Sequence, residues 1–414
     1  MKKLNSELIW AVIQLFSKQG VNLIILLLIS YFVTPAEFGI YSIAFSFFQF
    51  FSLVADTGFN AAIIQKKNIA KEQIDAIYSL NIVLSLALVL ICLFSINLIS
   101  HFYKQEGLGL VVSALSMNLF FIALSSTHSA LLQKQLNFKA LTVRDITSVL
   151  FGGVSAAIAV YFGLGLWALV IQSLASYIVS AICMHFLSEQ KMTFTINKSS
   201  FNLLLEILPF SKNIFGFNIV KYLSQNLDIF YIGYILGAKS AGLFAYFDKL
   251  IIIPFTMLSG AIGNYIFAKY ANMNQESGEL SNAFSSIQRK HNLVIIPLIV
   301  LYCAAITVLL KLDVMPKWKE AADFIPLMGI LVIVQVVISP MNNILKAINR
   351  SNYLFYWSLS LMVGMFSGFV FLYYKGYDSI ESILYMLITV NVLCCFLMYQ
   401  FVKEAFGKFS RSTE

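Results

Sequence analysis

The sequence predicts an all-α integral membrane protein, with twelve transmembrane helices in two six-helix bundles around a central cavity. Three observations predict it. Of 414 residues, 59% are hydrophobic and 12% charged, and the mean hydropathy is +0.81, whereas a soluble domain carries about 25% charged residues. Apolar runs of about 20 residues, long enough to cross a bilayer as helices, recur along the whole chain. One turn also recurs at an offset of 203 residues, close to half the length.

The runs come in order as 9–33, 39–63, 76–102, 108–131, 142–162, 166–188, 208–236, 241–266, 292–312, 323–345, 353–374 and 382–402. The first opens with MKKLNSELIW, but Lys18 interrupts its apolar core and no small-residue cleavage pattern follows, so it reads as a retained span. Spans 1 and 2 meet at TPAEFG, a tight turn. The stretch KKNIAKEQID at 66–75 reads as a solvated or surface-lying helix before span 3. Spans 3 to 6 follow with short connections. The longest polar stretches are 189–206 and 269–291, and the longest connection on the opposite side is 312–323. None is large enough for a soluble catalytic domain. Residues 1–190 therefore form the N-terminal bundle, 191–207 a linker and 208–414 the C-terminal bundle.

Lys and Arg accumulate in cytoplasmic loops. With the N-terminus inside, nineteen of the 28 basic residues fall in inner loops and at the inner ends of the chain and spans, six in outer loops, and three (Lys18, Lys221 and Lys249) deeper within spans. Both termini are thus expected in the cytoplasm. The same distribution explains the net charge of +8 without a nucleic-acid partner. The five cysteines all lie in apolar runs, which argues against a disulfide framework or a zinc site.

The repeat relates LLISYFVTPAEFGIYSIA (27–44) to DIFYIGYILGAKSAGLFA (228–245), with Gly39 meeting Gly242. Six spans separate the copies, so both run in the same direction. Substrate sites in parallel-repeat transporters lie between the halves. The same offset brings Lys18 onto Lys221 and Asn22 onto Gln225. A charge at a helix centre costs about 2.5–3.5 kcal/mol even on the lenient insertion scale, so two such lysines at equivalent positions call for an explanation.

Lys221, Gln225 and Asp228 are spaced i, i+4, i+7 and share one helical face, as do Gln14, Lys18 and Asn22. Two readings stay open. In one the charges are structural, with Lys221 neutralised by Asp228 and Lys18 by Asp56. In the other the stripes line a cationic cavity for an anionic ligand, whose oxygens take point charges and amide donors well. Asp56, Asp228 and Asp248 are candidate carriers of a coupling cation, sodium or proton. Lys249 either lines the cavity or snorkels to the interface. Gln335, Ser339, Asn342 and Asn343, with Pro340 among them, fit a bent helix beside a cavity or hydrogen-bond glue between helices. No catalytic constellation, phosphate-binding loop or metal-ligand spacing is found, so neither enzymatic activity nor a metal is expected.

Several segments carry a family resemblance. TPAEFGIYSIAFSFFQFFSLVADTGFNAAIIQKK (34–67) resembles the N-terminal signature of Wzx-type polysaccharide flippases, of the multidrug/oligosaccharidyl-lipid/polysaccharide exporter superfamily. ALLQKQLNFKALT (130–142), GLGLWALVIQSL (163–174) and NLDIFYIGYILGAKSAGLFAYFDKLIIIPFTMLSGAI (226–262) are similar to later parts of that family, in its colanic-acid and O-antigen exporter branch. The resemblance implies two bundles around a cationic cavity lined by spans 1, 2, 7 and 8, where Lys18, Lys221 and Lys249 would stand. The chain departs from the branch at Tyr234, where an arginine is common, and at Ala268, where a proline is common. It is also short for the family, so the extra C-terminal spans of some relatives are not expected.

The resemblance implies a bacterial inner-membrane flippase for undecaprenyl-diphosphate-linked oligosaccharide repeat units, serving O-antigen or exopolysaccharide assembly. Lys18, Asn22, Lys221, Gln225 and Lys249 would hold the substrate. The implied partners are that lipid-linked oligosaccharide, membrane lipids, a polysaccharide polymerase and chain-length proteins. A multidrug or cation antiporter of the same superfamily and an integral-membrane polysaccharide polymerase are the alternatives. The first would favour an acidic cavity and the second a larger outer loop.

Overall fold

The computed structural model describes residues 2–56, 59–65, 69–188, 190–195, 198–271, 277–350 and 352–413. It is 89% helical and, among the described residues, has no strand. The helices are α1 (Lys2–Ser30), α2 (Pro35–Asp56), α3 (Phe59–Gln65), α4 (Lys71–Phe94), α5 (Ile96–Tyr103), α6 (Leu108–Lys134) and α7 (Phe138–Tyr161). They continue with α8 (Leu166–Leu187), α9 (Lys198–Ile235), α10 (Gly237–Ala271), α11 (Ser277–Lys311), α12 (Ile325–Ala347), α13 (Asn352–Lys375) and α14 (Ile380–Thr413). A 3₁₀ helix at Pro316–Asp323 precedes α12.

Among the described residues nine helices are long and apolar enough to cross a membrane: α2, α4, α6, α7, α8, α12 and α13, with Phe284–Lys311 of α11 and Ile380–Gly407 of α14. The other three expected spans, 9–33, 208–236 and 241–266, fall on α1, α9 and α10. These are the helices that carry Lys18, Lys221 and Lys249, and their side chains lie partly outside the described residues. Span 39–63 falls on α2 and α3, on either side of residues 57–58, which lie outside the described residues. Span 76–102 becomes α4 and α5, parted at Ser95, whose N–H reaches the Ile91 and Cys92 carbonyls.

The chain forms two compact units. The first comprises residues 1–219 together with 237–242, and the second residues 220–236 and 243–414. In the first unit α6 is the hub, packing against α2, α3, α4, α5, α7 and α8, while α1 lies on α7. Lipid is as apolar as a leucine side chain, so helices in a membrane associate through small residues and hydrogen bonds. The buried face of α6 is of that kind: Ser113, Ser116, Asn118, Ser125, Thr127, His128 and Ser129. Ser113 Oγ donates to the Cys92 carbonyl at 3.0 Å, and Asn118 Nδ2 to Ser173 Oγ at 3.0 Å. Asn81 Nδ2 donates to Thr127 Oγ1 at 3.3 Å.

Within the segment 66–75, residues 71–75 are the first turns of α4 and not a separate surface helix. Residues 66–68 lie outside the described residues, and Lys71 already opens α4. Asp75 is buried in its second turn, and its two carboxylate oxygens accept from the backbone N–H (3.1 Å) and hydroxyl (2.6 Å) of Thr193. Ser79 Oγ accepts from the Thr195 N–H at 2.8 Å. Residues 193–195 of the expected linker are therefore held against α4, and helix resumes at Lys198.

The repeated turn is visible in space within the first unit. A Cβ built on Gly39 would overlap the Ala238 carbonyl and lie 2.8 Å from the Gly242 nitrogen. A Cβ built on Gly242 would overlap the Pro35 carbonyl and lie 2.8 Å from the Gly39 nitrogen. Pro35 and Ala238, like Gly39 and Gly242, are 203 residues apart, so equivalent residues meet reciprocally. Only glycine allows two helix backbones this close.

In the second unit α12 packs on α11 and α14, and α13 packs on α14. The connection 312–323 is not a loose loop. Its 3₁₀ helix buries Trp318 (1% exposed) against Tyr246 of α10, with ring centroids 4.0 Å apart. Tyr231 of α9 stacks on Phe369 of α13 at 4.3 Å. Pro254 removes the N–H that the Leu250 carbonyl would otherwise accept in α10. Tyr302 of α11 supplies the replacement, its hydroxyl donating to that carbonyl at 3.1 Å.

Candidate functional site

α1 is held to α7 along its polar face. The spacing of Gln14 and Lys18, one turn apart, points both side chains at Asp145 of α7. Gln14 Nε2 donates to Asp145 Oδ2 at 2.8 Å, and Lys18 Nζ stands 3.9 Å from Oδ1. Arg144 also turns to this carboxylate, with Nε and Nη2 donating to Oδ1 at 2.9 and 2.7 Å. Its Nη1 donates to Ser129 Oγ of α6 at 2.6 Å. Thr142 Oγ1 donates to the Trp10 carbonyl at 3.1 Å, and the Lys139 ammonium sits 5.9 Å from the centre of the Trp10 ring.

The electrostatics of this cluster follow from counting. Among the described residues, two cations share one anion. Asp145 and Arg144 are well buried, with side chains 7% and 14% exposed, whereas the Lys18 side chain is 47% exposed. The close pair is Arg144 with Asp145. The surplus positive charge therefore sits on Lys18, the accessible member.

The expected pairing of Lys18 with Asp56 does not form. Asp56 is exposed at the end of α2 and accepts from Asn60 Nδ2 at 2.5 Å. The partner of Lys18 is Asp145, 127 residues on. This acid was missed although it stands inside an expected span. The overlooked signal is the dipeptide Arg144–Asp145 just within span 142–162, where a carboxylate needs a cation as much as a lysine needs an anion.

Asn22 is half-buried one turn beyond Lys18. In the second unit Lys221 and Gln225 are exposed on α9, and Asp228 is half-buried and accepts from the Ile229 N–H at 2.7 Å. No ion pair joins Lys221 to Asp228 among the described residues. Seven residues of helix separate them by about 10 Å along the axis, so the expected neutralising pair is absent. Asp248 and Lys249 are half-buried on α10, between the fully buried Phe247 and Ile251.

Of the polar residues of span 10, Asn343 Nδ2 donates to the Ser339 carbonyl one turn back at 3.1 Å, and Gln288 Nε2 of α11 donates to the Val337 carbonyl of α12 at 2.9 Å, three residues before Pro340. α12 continues through that proline. Among the described residues no three His, Cys, Asp or Glu side chains come together in a way that could hold a metal ion, and all five cysteines are free.

Comparison with known proteins bears on this arrangement. A family model described as polysaccharide biosynthesis protein matches residues 28–323. The teichuronic acid biosynthesis protein TuaB of Bacillus subtilis is 23% identical over 76% of the chain, which spans 65% of that relative. The succinoglycan biosynthesis transport protein ExoT of Rhizobium meliloti is 21% identical over 84% of the chain and 70% of the relative. The lipopolysaccharide biosynthesis protein WzxC of Escherichia coli is 20% identical over 88% of the chain and 72% of the relative. The chain thus spans about two thirds of the length of these relatives. Among solved structures, an inward-facing multidrug transporter of the MOP superfamily superposes with a TM-score of 0.70 at 12% identity, covering 99% of the chain and all of that structure. The lipid II flippase MurJ superposes at 0.69 and 13% identity, over 97% of the chain and 90% of that structure. The fold is that of the MOP-superfamily transporters.

Proposed function

Because the chain belongs to the polysaccharide biosynthesis protein family, we propose that it is a flippase, carrying an undecaprenyl-diphosphate-linked oligosaccharide repeat unit from the inner to the outer leaflet of the bacterial inner membrane. No bond is made or broken; the protein alternates between access to each side. The observation that carries this reading is the surplus positive charge of the Lys18–Arg144–Asp145 cluster, whose accessible member is Lys18. A diphosphate leaving water needs cationic and amide donors in a low-dielectric wall. Lys18 and Lys221 supply the charge in this reading, with Asn22 and Gln225 one turn further along. Lys249 adds a third cation. Asp56, Asp228 or Asp248 carries the coupling cation. The names of the relatives, in teichuronic acid, succinoglycan and lipopolysaccharide biosynthesis, support a polysaccharide precursor as cargo. A polymerase and chain-length proteins would act on that cargo after it crosses. The superfamily's multidrug transporters share the fold, but a surplus lysine repels the cationic drugs an antiporter would take.

The test is surface polysaccharide in a strain that depends on this chain. Lys18→Ala and Lys221→Ala should each abolish it while the protein still inserts and accumulates. Lys221→Arg should retain part of it, because charge survives although the point-charge geometry changes. Full export by a Lys221→Ala/Asp228→Asn double variant would overturn the cavity reading.

A further inference from the structure

The cluster at α1 and α7 contains more than a cation. Asp145 lies 3.9 Å from Lys18, which is too long for a hydrogen bond. Its carboxylate is already satisfied by Arg144 and Gln14 at 2.7–2.9 Å. Lys18 thus feels the anion's field while, among the described residues, no hydrogen bond commits its three N–H donors. An anionic ligand offering oxygens at 2.7–2.9 Å outcompetes this long contact. Asp145 cannot follow Lys18 toward the ligand, since bonds from two helices pin both of its oxygens.

We infer that Asp145 is a resident counter-anion that competes with the ligand for Lys18, and that this competition sets how readily the ligand leaves. The inference rests on the reading of Lys18 as an anion-binding residue. Two consequences follow from the geometry. With the site empty, Lys18 has a fixed negative charge to fall back on, so the vacant state is not a bare cation in a low-dielectric wall. With the site full, the same fixed charge repels the ligand's phosphates and hastens their release. A transporter needs both, because a ligand held by an unopposed cation would be bound but not delivered. Asp145 is therefore a positioning residue that acts through Lys18 and does not itself touch the ligand.

Its removal should have an effect that a purely structural role would not produce: tighter binding with poorer transport. The experiment titrates inorganic pyrophosphate into the purified full-length chain in detergent, with surface polysaccharide assayed in parallel. The wild type should bind, and Lys18→Met should bind at least tenfold more weakly. Asp145→Asn, which keeps an oxygen for Gln14, should bind about tenfold more tightly yet export less. In the Lys18→Met background the same change should bring no gain. Asp145→Glu, one methylene longer, should approach Lys18 and weaken binding, which supplies a reading if the asparagine variant does not accumulate. Unchanged or weaker binding by Asp145→Asn at an unaltered melting temperature would overturn the inference while leaving the flippase reading standing. So would binding by Asp145→Glu equal to wild type. Absence of pyrophosphate binding by the wild type would overturn both.

Discussion

Glu37 binds two helix N-termini at once. Its Oε2 accepts from the Thr34 N–H (2.8 Å) and hydroxyl (2.7 Å) at the start of α2, and its Oε1 from the Leu166 N–H (3.2 Å) at the start of α8. Thr34 Oγ1 returns the bond to the Glu37 N–H at 3.3 Å, completing a capping box. Gly165 has φ +48° and leaves room for the carboxylate, which any Cβ there would strike. Removing a cap costs about 0.5–2 kcal/mol, and here two helices share one residue. Glu37→Ala should lower the melting temperature of the purified protein measurably, and Glu37→Gln should lower it less, since one amide oxygen remains. An alanine variant melting with the wild type would show that the double cap contributes nothing. The α2 half of this feature is readable from sequence as Thr-Pro-Ala-Glu. The α8 half is not, because nothing near Leu166 names an acid 129 residues away.

At the scale of elements, the lengths and order of the helices follow from apolar runs, but their breaks and contacts follow from particular neighbours. α10 keeps going past Pro254 because Tyr302 of α11 serves the freed carbonyl. α2 and α10 approach at Gly39 and Gly242, where each glycine faces the other chain segment's backbone. A single methyl at that crossing must push one backbone away, at about 1–3 kcal/mol by analogy with overpacked cores. Gly39→Ala and Gly242→Ala should therefore both destabilise the protein and lower export. Gly216→Ala, on α9 with no atom within 4 Å of the added Cβ, should be neutral or slightly stabilising, since alanine is the better helix former. Equal melting temperatures for the three variants would mean that the crossing is not close in the membrane. The glycines were legible as a repeat in the sequence, but their meeting was not.

For the whole molecule, the excess of basic residues on one side predicts that both termini and residues 66–75, 134–141, 189–206 and 269–291 will be found on the cytoplasmic side. A cysteine at Lys191, which is exposed, placed in a background without the five native cysteines, should react with a membrane-impermeant thiol reagent only after the cells are opened. Labelling in intact cells would invert the topology. Hydropathy is a sum over neighbours in the chain, so the sequence by itself determined that this is an α-helical membrane protein and where most of its helices run. The 203-residue offset, also a property of the linear order, marked the glycines that meet. Partnership between charges is decided by which helices become neighbours, and no local pattern encodes that. Only the tertiary structure moved the partner of Lys18 from Asp56 to Asp145, because α1 lies against α7, and Arg144 on that helix already satisfies the acid. Among the described residues, Lys18 thereby shares one carboxylate with Arg144, and the cluster keeps a surplus positive charge.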